Sequence, residues 1–164
     1  IGVHKDRLCE YACVQRNFGV LKWARNDLGL PWAPYLPGHV SDDVLVLRVL
    51  RETWPRLKQW WRVDVGPGEW RGVTMDGGRV VELRLHNMIL GGAVPAEIGR
   101  LSALRELYFR GNQLTSVPAE IGQLTSLKDL ILFGNQPTSM PAAIRELRSA
   151  GCVVRLDAGV TFDE

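Results

Sequence analysis

Between Leu104 and Leu124 the chain reads LRELYFRGNQLTSVPAEIGQL, and between Leu127 and Leu147 it reads LKDLILFGNQPTSMPAAIREL. The two stretches match position by position at a spacing of 23: Leu104 with Leu127, Leu107 with Leu130, Phe109 with Leu132, Asn112 with Asn135, and onward to Leu124 with Leu147. An earlier copy runs Val80, Leu83, Leu85, Met88, Leu90, Val94, Pro95, Ile98, Leu101. Its first half is offset by 24, because Gly91-Gly92-Ala93 replaces the two-residue Thr115-Ser116. A fixed period of this length marks stacked coils, in which no repeat buries its apolar side alone and neighbours complete the core.

Each part of the unit has a physical role. The Leu-x-Leu segment predicts a short strand with two inward side chains at alternate positions. Asn112 and Asn135 stand where the chain turns, and their side chains can bond the backbone of neighbouring coils in a ladder. Pro118 and Pro141 open a return segment in which a missing N–H is tolerated. AEIGxL then predicts a helical turn with Ile and Leu inward. Met88 replaces the ladder Asn in the first copy, and Pro137 replaces a leucine in the third; both irregularities fall toward the ends of the stack.

This pattern resembles the leucine-rich repeat family, LxxLxLxxNxL with a period of 20–29. The resemblance implies an α/β solenoid: a short coil stack with parallel strands on a concave face and a helical N-terminal region. Trp70-Arg71-Gly72-Val73 resembles the N-terminal cap of plant-type repeats, with Met75 where that family often carries a disulfide cysteine. The implied organisation is a cap over residues 41–79, with Ser41 capping a helix through Val44–Leu57, and three repeats with a closing strand near Val153–Leu156 over residues 80–164. Residues 1–40 do not fit the repeat. VLKWAR, from Val20 to Arg25, and the later Pro31-Trp32 resemble one diverged ankyrin-type repeat followed by a stiff proline-rich linker.

Composition narrows the function. The chain has 164 residues, 46% apolar, with a formal charge of +2. That balance argues against a bulk electrostatic nucleic-acid binder. Val44 to Leu50, the densest apolar run, is too short to cross a bilayer. The three cysteines, Cys9, Cys13 and Cys152, make no disulfide framework and read as small buried residues, so no metal or other cofactor is expected. The unbridged cap favours an intracellular chain, cytoplasmic or organellar, over a secreted one. Ile1 in place of Met leaves a processed or partial chain open.

Chemistry does not converge either. His4, His39 and His86 are scattered, and no phosphate loop or nucleophile setting is recognisable. His86 beside Glu106 can be written as an acid–base pair, but a solvent-open strand face is a poor place to shift pKa values. The expectation is therefore no enzyme. Trp54, Trp60 and Trp61 among Arg48, Arg51, Arg56, Lys58 and Arg62 read as a cap helix with a solvated basic face, a membrane or RNA surface being the other reading.

Residues between the inward leucines form three columns across the strand face: Glu82, Glu106, Asp129 and Val153; Arg84, Tyr108, Ile131 and Arg155; His86, Arg110, Phe133 and Asp157. Stacked carboxylates repel unless Arg84 and Arg110 neutralise them. Tyr108, Ile131 and Phe133 make an aromatic and apolar patch beside that charge, a typical interface anchor. The expected function is recognition of a protein partner, through Glu82, Arg84, His86, Glu106, Tyr108, Arg110, Asp129, Ile131 and Phe133. The alternative is an accessory subunit fixed in a large multi-protein complex.

Overall fold

The computed structural model describes residues 41–137 and 139–163. The ankyrin-like segment and linker of residues 1–40 lie outside them. In chain order the elements are α1 (Asp42–Thr53), β1 (Val73–Asp76), β2 (Arg79–Arg84), β3 (Gly92–Ala93), β4 (Glu106–Tyr108), β5 (Leu114–Ser116), β6 (Asp129–Ile131), β7 (Ser139–Met140), α2 (Ala143–Ser149), β8 (Val153–Arg155) and β9 (Thr161–Phe162).

One five-stranded sheet runs β1-β2-β4-β6-β8. β1 is antiparallel to β2, and every later pairing is parallel. The register follows the repeat: Leu83 lies opposite Leu107, Leu107 opposite Leu130, and Leu130 opposite Val154. Leu83, Leu107 and Leu130 are fully buried, and they merge with Leu85, Phe109 and Leu132 into one apolar spine. A second layer of strands lies farther along each coil, with β3 beside β5 and β7 beside β9.

Pro95 and Pro118 hold extended backbone just before single 3-10 turns, Ala96–Arg100 and Ala119–Gln123. Ile98 and Ile121 point inward from these turns. Gly99 marks the closest approach of the first two turns: a Cβ there would stand 2.3 Å from the Glu120 carbonyl oxygen. The third return segment is the longer helix α2.

The asparagine ladder is present. Asn112 is fully buried. Its Oδ1 accepts from the Met88 N–H at 2.8 Å, and its Nδ2 donates to the carbonyls of Leu85 and Phe109. Asn135 repeats this one coil later, accepting from the N–H groups of Asn112 and Leu114 and donating to Phe109 and Leu132. Asp157 closes the row by accepting from the N–H groups of Gly134 and Asn135. Its carboxylate therefore serves the turn, where the column alignment had put it on the open face.

The segment expected to form a cap departs from expectation in two ways. Helix α1 ends at Thr53, because Pro55 has no N–H to continue it; a 3-10 turn, Pro55–Gln59, follows. The Ser41 hydroxyl has no hydrogen-bond partner among the described residues, so it caps nothing. Asp43, 1% exposed, instead accepts from the Val80 N–H at 2.8 Å and from Arg79 at 3.1 Å, tying the helix to the first repeat strand.

Trp54, Trp61 and Trp70 belong to the core, while Trp60 is half-buried with the Arg71 guanidinium 5.3 Å from its ring. Trp54 and Trp61 are buried, and Trp61 stacks on Trp70 with ring centroids 5.1 Å apart. Trp54 meets Phe109 edge-on at 5.6 Å. Each indole N–H finds a carbonyl: Trp54 donates to Gly91, Trp61 to Arg71 and Trp70 to Arg62. These indoles are not available to a membrane or an RNA. Arg56, Lys58 and Arg62 around them are exposed. Gly72 lies tight against β2: its φ is +82°, and a Cβ would lie 2.2 Å from the Arg84 carbonyl oxygen.

Candidate functional site on the strand face

Alternation along the strands decides which side chains face outward. In β2 and the residues after it, Leu83 and Leu85 are buried while Arg84 and His86 are exposed. The same alternation buries Leu107 and Phe109 and leaves Tyr108 half-buried and Arg110 exposed. The sheet register then sets Glu82 opposite Glu106 and Glu106 opposite Asp129, with Arg84, Tyr108, Ile131 and Arg155 across the next column. Parallel pairing continues beyond the strand ends, with Asn87 N–H donating to the Arg110 carbonyl and Gly111 N–H to that of Phe133. His86, Arg110 and Phe133 therefore share a third column. All nine expected site residues lie on this one face.

The charges divide into a settled half and an open half. Arg84 reaches the Glu106 carboxylate at 2.6 Å and that of Glu82 at 3.3 Å. The bond to Glu106 comes first among the causes that hold the Arg84 pKa above its ordinary value. Thr74 adds a hydroxyl donor to Glu82 at 3.0 Å. Partial burial, followed by Glu106, pushes the Tyr108 phenol up. The Arg84 guanidinium also lies 5.5 Å from the Tyr108 ring.

The expected compensation stops there. Arg110 does not pair with Asp129; its guanidinium lies over the Phe133 ring, 4.6 Å from the centroid. Among the described residues Asp129, Arg110 and Arg155 have no ion pair, although each lies on this face. A shallow depression of about 260 Å³ opens between the second and third columns. Tyr108, Ile131 and Phe133 supply its apolar surface, and His86, Arg110 and Arg155 its basic rim. Asn87, which the column alignment did not include, also lines it. Asn87 has a φ of +55°, and Ile89 just beyond has +53°, a conformation that L residues with branched side chains rarely adopt.

No family model matches the chain. Over 74 residues the chain is 38% identical to a probable leucine-rich repeat receptor-like protein kinase of Arabidopsis thaliana, a match covering 44% of this chain and 8% of that protein. Over 89 residues it is 37% identical to the probable inactive receptor kinase RLK902 of the same plant, covering 54% of this chain and 14% of the relative. The chain thus spans a small fraction of these relatives' lengths. Among solved structures it is similar to a chain of the BIR3–SERK2 complex from Arabidopsis thaliana, with a TM-score of 0.54 and 26% identity over 70% of each chain.

These likenesses correct the expected location. The relatives matched by sequence are described as a receptor-like protein kinase and an inactive receptor kinase. They point against an intracellular placement. The expectation drawn from Met75 is overturned with it; in the segment expected to be the cap, Trp61 stacks on Trp70 and the buried Asp43 accepts from the Val80 N–H. No helix among the described residues is long and apolar enough to cross a membrane.

Proposed function

We propose that this leucine-rich-repeat protein is a non-catalytic recognition module that grips a protein or peptide partner on its strand face. In this reading residues 41–79 are the cap, residues 80–164 form a short solenoid, and the five-stranded sheet lines its concave side. The observation that carries it is the Tyr108, Ile131 and Phe133 patch. Each of these side chains directly follows a buried leucine, Leu107, Leu130 or Leu132, yet none is buried itself, and charged groups lie around the patch. Half-buried aromatics ringed by polar groups suit an interface core with a rim. The repeats shared with receptor kinases support recognition over chemistry.

The test is a double substitution, Tyr108→Ala with Phe133→Ala. Binding to a partner isolated from the native source is expected to fall at least about tenfold, because truncating two interface anchors removes 1.4 kcal/mol or more. The melting temperature should move by only a few degrees, since neither side chain belongs to the apolar spine. Undiminished binding by the folded double variant would remove the strand face from the account.

A further inference from the structure

The unbalanced half of the strand face specifies the charge of what it takes. We infer that the depression binds an extended, acidic peptide segment, with an aromatic or aliphatic side chain on Tyr108, Ile131 and Phe133 and a neighbouring carboxylate between Arg110 and Arg155. This rests on the strand face being the recognition surface.

The electrostatics are local. Arg84 is engaged by Glu82 and Glu106, so its charge is already taken up and that half of the face is left with one carboxylate in excess. Arg110 and Arg155 keep their guanidinium N–H groups without a carboxylate partner among the described residues, and both line the same depression. Two guanidiniums beside an apolar floor match a planar carboxylate, which accepts paired N–H donors. Arg110 already rests on the Phe133 ring, which limits the freedom it would lose on binding. Asp129 is the one carboxylate on the face without an ion pair among the described residues. It lies in the outer column beside Val153 and does not line the depression. A segment rich in Lys or Arg would meet the basic rim before it reached Asp129.

An extended strand also suits the site's dimensions. The floor residues come from two neighbouring rungs, about 4.8 Å apart, and side chains on one side of an extended peptide recur about every 6.8 Å. One apolar side chain and one carboxylate from alternate positions, i and i+2, of such a segment can therefore reach floor and rim together.

The full-length chain is used to select from a random twelve-residue peptide display library. The most enriched peptide and its analogue with Asp→Asn and Glu→Gln changes are then titrated by fluorescence anisotropy. Enriched peptides are expected to combine Asp or Glu with Phe, Trp or Leu, and the neutralised analogue to bind at least about tenfold more weakly, the worth of one charge-assisted pair. In the Arg110→Ala, Arg155→Ala variant the difference between peptide and analogue should shrink to within about twofold. Basic or uncharged selected peptides, no enrichment at all, or a preference that survives the double Arg change would each overturn the inference. Loss of native-partner binding in the Tyr108 and Phe133 variant, alongside such a result, would leave the strand face as the recognition surface with a different ligand chemistry.

Discussion

Asn112→Ala is expected to lower stability by about 3 kcal/mol or more. The side chain is fully buried and makes three hydrogen bonds within the turn and to the preceding coil. Truncation leaves the Met88 N–H and the Leu85 and Phe109 carbonyls short of a partner, at about 1–3 kcal/mol for each buried group left unmade. The Phe109 carbonyl keeps its bond from Asn135, so the Met88 and Leu85 groups bear most of the loss. Urea unfolding followed by far-ultraviolet circular dichroism measures it. Asn112→Asp should lose at least as much, because it turns two donor hydrogens into an oxygen facing carbonyl oxygens. A change below about 1 kcal/mol for both variants would mean that the ladder is not under tension from burial, and that the coils hold through the leucine spine alone.

The second effect concerns the cap. Trp61→Ala is expected to cost about 3–5 kcal/mol, the usual range for truncating a buried large aromatic. Trp61 is fully buried, stacks on Trp70, donates to the Arg71 carbonyl, and its own carbonyl accepts from Arg51 at 2.6 Å. Trp61→Phe keeps an aromatic ring against Trp70 and loses the N–H donor, so it should cost roughly 1–3 kcal/mol, the range for an orphaned buried acceptor. Chemical denaturation of both variants checks the order. If alanine and phenylalanine are equally mild, residues 42–76 are held by something other than their stacked indoles.

Much of the stack was legible because its periodicity is a direct image of packing. Leu107, Leu130 and Val154 each fill the same inward place on successive rungs, so their spacing in sequence gives their contacts in space. Alternation about those leucines also gave the outward columns, from Glu82 through Phe133. Features that depend on distant partners were not readable in this way. Asp43 looks like an ordinary acidic residue in a helix's first turn; its bond to Val80 crosses 37 positions of chain. The Trp54 indole reaches Gly91 across the same separation. Asp157 aligned with the open face, but unpaired N–H groups at Gly134 and Asn135 drew its carboxylate into the ladder. Asp129 has no ion pair among the described residues, and Arg110 lies over the Phe133 ring. No spacing rule carries it.

The strand face as the partner surface is tested most directly by site-specific photocrosslinking. Ile131 is replaced by p-benzoylphenylalanine in one variant and Gln123, on the exposed return turn, in another. Both are irradiated in extract from the native source. A discrete crosslinked partner is expected from position 131 and none from position 123. Crosslinking from position 123 with none from position 131 would contradict the account.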